Sequence, residues 1–176
     1  MIYKTSYKSP LGEILLASKD NKLIGLWIEV QKNYLSDLKE ETTTNDNDEV
    51  LKKTKNWLDR YFNNEKPNLN ELPLNPIGNE FKQEVWDILK RIPYGEVITY
   101  NDIAKEIATN RGIKRMSAQA IGGAVGHNPI SIIIPCHRVV GSSGNLTGYA
   151  GGIDKKIYLL KHELVNMDNL FLPKQK

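Results

Sequence analysis

The apolar residues of this chain keep two different periods, and the change comes at one place. From Ile2 to Val30 they alternate or run in short blocks between turn signals: IYKTSY, SPLG, GEILLASKD, Asp20-Asn21-Lys22, LIGLWIEV. Period two belongs to strands, so this region predicts three strands in an antiparallel meander. EVLKKTKNWLDRYFNN then takes helical spacing through Leu51, Thr54, Trp57, Leu58, Tyr61 and Phe62. The polar TTTNDNDE ahead of it predicts a loop or helix lead-in. KPNLNELPLNPIGN is proline-rich and continues neither pattern. Beyond it the apolar spacing is mostly helical. The chain is therefore expected to hold two domains, 1–78 and 79–176.

The second part opens with FKQEVWDILKRI, whose Phe81, Val85, Trp86, Leu89 and Ile92 form one stripe, and Pro93-Tyr94-Gly95 ends it. GEVI predicts a small strand or a turn. Thr99 is placed to cap YNDIAKEIA, and Ser117 to cap AQAIGGAVG. Two short helices joined by a turn containing Gly112 suggest a helix-turn-helix unit. The second of them is nearly bare: Ala118, Ala120, Gly122, Gly123, Ala124 and Gly126 leave Gln119 as its one long polar side chain. Glycine inside a helix costs about 1 kcal/mol relative to alanine. Either the helix packs closely against another, or it approaches a nucleic-acid groove closely. In the second case it can read few bases, and a shallow or narrow groove suits it better than the major groove.

The chain has one cysteine, Cys136, in ISIIIPCHRVVG. ISIII before Pro135 predicts a buried strand. A lone cysteine is usually buried and inert. The adjacent His137 and Arg138 argue for reactivity, because cations nearby favour the thiolate. On an extended chain neighbouring side chains point to opposite faces, so His137 is expected to act on the thiol through a water rather than directly.

The chain has 176 residues, 40% apolar and 26% charged, which suits a globular protein. No apolar run is long enough to span a bilayer. The N-terminus lacks the pattern of a signal peptide. One cysteine cannot form an internal disulfide or a cysteine-rich zinc site, and a cytoplasmic, reducing setting is expected. Residues 1–78 carry net charge −1 and residues 79–176 carry +4. The positive half is compatible with a polyanionic partner without requiring one.

PCHRV in this context resembles the active-site signature of the O6-alkylguanine-DNA alkyltransferases (methylated-DNA–protein-cysteine methyltransferases). FKQEVWDILKRIPYGEVITYNDIAKEI, AIGGAVGHNPISIIIPCHRVVGSSGNLTGYAGGIDKKIYLLKHE, SPLGEILLAS and LIGLWI are also similar to family segments, and the resemblance runs to Glu163. It implies an α/β (α+β) chain: a ribonuclease H-like sheet-and-helix domain, then a mostly helical, winged helix-turn-helix-like domain. The implied partner is double-stranded DNA containing O6-alkylguanine, with O4-alkylthymine left open, bound through the minor groove. The damaged base is rotated out, and its alkyl group passes to the cysteine once per molecule.

By resemblance Cys136 is the acceptor, His137 its base through water, and Glu163 the residue orienting His137. Asn128 anchors the turn beneath the cysteine, and Tyr100 donates to the base ring. Tyr149 donates to O6, Ala150 stands where some relatives carry a hydroxyl, Gly151 and Gly152 let the loop lie close, and the Val139 backbone reads the guanine edge. Gln119, Arg115, Ser117, Ala120, Gly123 and Arg138 are expected to face DNA. Position alone leaves Glu163 a solvated helix charge, Asn128 an Asn-Pro turn and Tyr100 a packing tyrosine. Gln119 stands where relatives often insert an arginine into the duplex. Neither cofactor nor metal is implied, since the zinc ligands of some relatives are absent. Three other classes compete: a lesion-binding module without chemistry, a cysteine hydrolase, and a transcriptional regulator. Cys136 argues against the first, turnover would identify the second, and the bare helix argues against the third.

Overall fold

The computed structural model describes residues 1–28 and 40–172. Glu29 and Val30, at the end of the third expected strand, lie outside the described residues. The chain forms two compact units. The first comprises Met1–Ile77 and Pro129–Ile133, the second Gly78–Asn128 and Ile134–Lys176.

The first unit is built on β1 (Ile2–Ser9), β2 (Gly12–Lys19) and β3 (Lys22–Ile28), an antiparallel meander. Asp20 and Asn21 both take positive φ, 51° and 62°, the twist a two-residue hairpin needs and one that Asp and Asn tolerate. β3 is buried almost throughout, which explains its unbroken apolar run. Thr42–Thr44 is a short strand, β4, paired parallel to β1 in the order β3-β2-β1-β4. The loop expected there is therefore a sheet edge, and three β-branched residues suit it. Asp48 caps α1 (Glu49–Phe62) by accepting from the Leu51 amide, and it also accepts from the Ser18 hydroxyl at 2.9 Å. Leu51, Trp57, Leu58 and Tyr61 form the buried stripe of α1.

Pro129–Ile133 joins this unit without forming a strand. Leu26 N–H donates to Pro129 O at 2.8 Å and Ser131 N–H to Leu26 O at 3.1 Å. Then Ile132 turns the chain with φ 70°. The expected buried strand is thus a buried turn. Its isoleucines are apolar because they are enclosed, not because they alternate, and only the partner Leu26, far away in sequence, decides between the two.

In the second unit, α2 (Glu80–Leu89), α3 (Tyr100–Arg111) and α4 (Ala118–Gly126) pack together through Val85, Trp86, Ile103, Ile107, Ile121 and Val125. The Trp86 indole donates to Ala124 O at 2.9 Å, so a buried polar group is satisfied and α2 is pinned to α4. Thr99 caps α3 in a reciprocal box with Asp102, and Gly112 ends it with φ 65°. Ser117 caps α4. β5 (Ile98–Thr99) pairs parallel with β6 (Val139–Val140), and α5 (Ile153–His162) follows.

Candidate active site

Cys136 sits in a single 3-10 turn, Cys136–Arg138, between Pro135 and β6. The extended backbone expected here is absent: the Arg138 N–H reaches back to Pro135 O at 3.0 Å. Asn128, just past α4 and 2% exposed, donates from Nδ2 to Ile134 O at 2.8 Å. Its side chain also hydrogen-bonds the thiol. It thus fixes both the approach to the turn and the sulfur that the turn carries.

His137 is fully buried, and its Nε2 lies 2.6 Å from Glu163 Oε2. Glu163 follows α5 and is buried too, so position alone misleads here. It accepts from His137 Nε2, Arg138 Nε at 2.7 Å, Arg138 Nη2 at 3.1 Å and the Gly95 amide at 3.2 Å. Burial alone would raise the Glu163 carboxyl. The His137 ring and the Arg138 guanidinium outweigh it and hold the group well below the usual carboxylate range. Burial keeps His137 below its ordinary value despite Glu163. The ring is then neutral, with the proton on Nε2 facing the carboxylate and the lone pair on Nδ1. Nδ1 has no hydrogen-bond partner among the described residues.

Arg138 was expected at the DNA. The structure places it inside, 8% exposed, with a further bond from Nη1 to Ile92 O at 2.7 Å and its guanidinium 5.7 Å from the Tyr94 ring centre. Its charge is spent on Glu163. For the same reason the neighbouring cations do not lower the thiol pKa. Burial pushes Cys136 above its ordinary value, and the Asn128 bond and the Lys156 charge offset that only in part. The resting group is a thiol that needs a base.

Lys156 is the residue the sequence reading missed. Its side chain is wholly buried, and Nζ donates to Val139 O at 2.6 Å and Thr147 O at 2.9 Å. It lies 5.9 Å from the Tyr100 ring centre. Burial lowers its pKa to about 8, opposed by the nearby Cys136 charge. A signal was available: Lys156, Leu159, Leu160 and Glu163 recur at one helix face, so Lys156 shares the inward stripe of α5.

Tyr100, the first residue of α3, donates its hydroxyl to Thr147 O at 3.2 Å, and burial raises its pKa to about 12. The Val139 carbonyl already accepts from Lys156, and its amide bonds Cys136 O, which leaves one carbonyl lone pair for a base. Tyr149, Ala150, Gly151 and Gly152 form a partly exposed loop into α5. Gly152 takes φ 104°, which favours glycine.

Arg115, Ser117, Gln119, Ala120 and Gly123 are all exposed, at the start and along one face of α4. A Cβ added at Gly122, Gly123 or Gly126 would meet nothing within 4 Å. Close packing inside the protein therefore does not require these glycines. Lys105, Lys114 and Arg115 line a groove between α3 and α4.

Residues 2–76 match the ribonuclease-like domain of 6-O-methylguanine DNA methyltransferase, and residues 80–165 match its DNA binding domain. The methylated-DNA–protein-cysteine methyltransferase of Haemophilus influenzae is 38% identical over 93% of this chain and 87% of its own. That of Methanosarcina acetivorans is 39% identical over 92% and 98%. The crystal structure of Mycobacterium tuberculosis OGT in complex with DNA is similar with a TM-score of 0.79, at 37% identity over 92% of both chains.

Proposed function

The chain belongs to the 6-O-methylguanine DNA methyltransferase family, and on that premise we propose that it repairs DNA by taking the alkyl group of O6-alkylguanine onto Cys136, once per molecule. The observation that carries the assignment of residues is the buried His137–Glu163 pair directly beside the only thiol, with His137 Nδ1 left to accept a proton.

The Cys136 proton passes through a water to His137 Nδ1, and Glu163 stabilises the imidazolium that forms. The thiolate attacks the alkyl carbon in line. An S–C bond forms, the C–O6 bond breaks, and its electron pair goes to the guanine. The Tyr100 hydroxyl turns from Thr147 O and gives its proton to the base ring while Tyr149 donates a hydrogen bond to O6, so the base leaves neutral, and the Tyr100 phenolate recovers a proton from the His137 imidazolium through solvent. The Lys156 ammonium supports the thiolate and the developing negative charge. The base amino group takes the remaining lone pair of Val139 O. A thioether has no facile hydrolysis route, so the acceptor is consumed.

A base inside the duplex is out of reach of this site and has to be extruded at a cost of a few kcal/mol. The open glycine face of α4 suits close approach to a minor groove, with the lysines and Arg115 beside it on phosphates. The test is intact mass after mixing with O6-methylguanine duplex. One methyl group per chain, mapped to the Cys136 peptide, is expected. Repeated product release from one chain would indicate a hydrolase instead.

A further inference from the structure

We propose that the C-terminal segment Val165–Phe171 is a strap that positions the base-binding loop, and through it the Tyr100 hydroxyl and the Lys156 ammonium; this rests on the alkyl-acceptor reading above. The chain reverses after α5 at Leu164, φ 61°, and the Val165 amide donates to Leu160 O at 3.0 Å. Met167 and Leu170 then pack against the buried cluster Val140, Leu146, Leu160 and Val165.

From that apolar seat the strap joins the loop edge by backbone. Phe171 N–H donates to Gly144 O at 3.0 Å, and Leu146 N–H donates to Phe171 O at 2.8 Å. The fit is close: Gly144 has φ 93°, and a Cβ there would lie 2.0 Å from Asn169 O. One residue beyond Leu146 is Thr147. Its carbonyl accepts from both Tyr100, at 3.2 Å, and Lys156, at 2.9 Å. The Thr147 N–H donates to Asn145 O at 3.1 Å, so with Leu146 pinned both peptide units that lead to that carbonyl are held, and each is planar. The Tyr100 hydroxyl, before it turns to the base, and the Lys156 ammonium therefore take their resting positions from a carbonyl whose own place is set from outside the site. The strap residues themselves are positioning residues, since none bonds Tyr100, Lys156 or Cys136.

The experiment uses the full chain with Leu170→Asp, which removes the apolar seat, and Gly144→Ala, which displaces Asn169. Leu170→Met keeps the seat and serves as the rescue. Each is studied at a temperature where circular dichroism shows native helix content. Single-turnover benzyl transfer from free O6-benzylguanine yields a limiting rate and a half-saturating concentration, alongside affinity for unmodified duplex. We expect Leu170→Asp and Gly144→Ala to lose about tenfold or more in limiting rate and to need more free base, with duplex affinity unchanged and Leu170→Met like wild type. If neither is native, Phe171→Pro, which removes the donor to Gly144 and leaves the Met167 and Leu170 side chains in place, decides by the same two quantities. Wild-type values in the folded variants would reduce the segment to a stability element and overturn the proposal. A wild-type chain that takes up neither a benzyl group from the free base nor a methyl group from O6-methylguanine duplex would instead overturn the acceptor reading; one that takes up the methyl group alone is compared with the variants on that duplex.

Discussion

At the scale of single residues, burial and pairing decide the chemistry. Cys136→Ser is expected to bind alkylated duplex and transfer nothing, because an alcohol beside a neutral imidazole is a far weaker nucleophile toward an alkyl carbon. Intact mass after incubation checks it, and any methylated serine variant would refute the assignment. Glu163→Gln removes the counter-charge from His137 and Arg138 at once. Transfer should slow with duplex affinity nearly unchanged, and stability should fall by about 3 kcal/mol because Arg138 is left buried without a partner charge. Equal single-turnover rates in variant and wild type would rule out the relay. Gln119 is exposed in the first turn of α4, and we expect it to fill the space left by the extruded base. Gln119→Ala should slow duplex repair about tenfold, or about 1.4 kcal/mol, with little change on free O6-benzylguanine. Arg115→Ala, run in parallel, tests the rival: if it alone is slow on duplex, Arg115 is the intruding residue.

At the scale of elements, α4 separates stability from function. Glycine in a helix is normally a loss, and the open space around Gly122, Gly123 and Gly126 shows that no protein contact demands it here. Gly123→Leu should therefore raise the melting temperature or leave it unchanged, since helix propensity improves by up to about 1 kcal/mol. Duplex affinity should fall about tenfold through steric exclusion from the groove. Calorimetry with a duplex-binding titration measures both. A destabilised variant would mean that the face is packed, and undiminished affinity would mean that it does not meet DNA.

At the scale of the whole molecule, buried ionisable groups shape the pH dependence of stability. Glu163 is held low, so its contribution is complete above about pH 4.3 and is lost as the pH falls below that. His137 is also lowered, so its contribution is complete above about pH 6.5 and shrinks on acidification, adding to the acid loss. Lys156, lowered to about 8, works at the other end. Between that value and the unfolded value of about 10.4, the unfolded chain holds more protons, so this group makes stability rise with pH. The Cys136 thiol and the Tyr100 hydroxyl, both raised by burial, oppose it in this range, because the unfolded chain loses those protons first. Urea unfolding at pH 8 and pH 10 should therefore show a more positive change of stability with pH in wild type than in Lys156→Met. An identical pH slope in the two would place the Lys156 charge in water.

The strand and helix periods, the Thr99 and Ser117 caps, the Asp20-Asn21 hairpin and the Cys136-His137 pair are local features, and the sequence alone determines them. Each depends on residues within one turn or one pleat, where propensity and hydrogen-bond geometry act directly. Tertiary structure alone decided the rest. Ile130–Ile133 is a turn because its backbone partner, Leu26, lies more than a hundred positions away. Arg138 is internal because Glu163 arrives from the end of α5, and Lys156 is buried because Val139 and Thr147 carbonyls await it. The thiol pKa rises because enclosure outweighs the Asn128 hydrogen bond and the Lys156 charge, while the Arg138 charge that the sequence sets nearby is taken up by Glu163. Burial and charge balance are sums over neighbours brought together by the fold, and a periodicity of two or 3.6 residues contains no record of them.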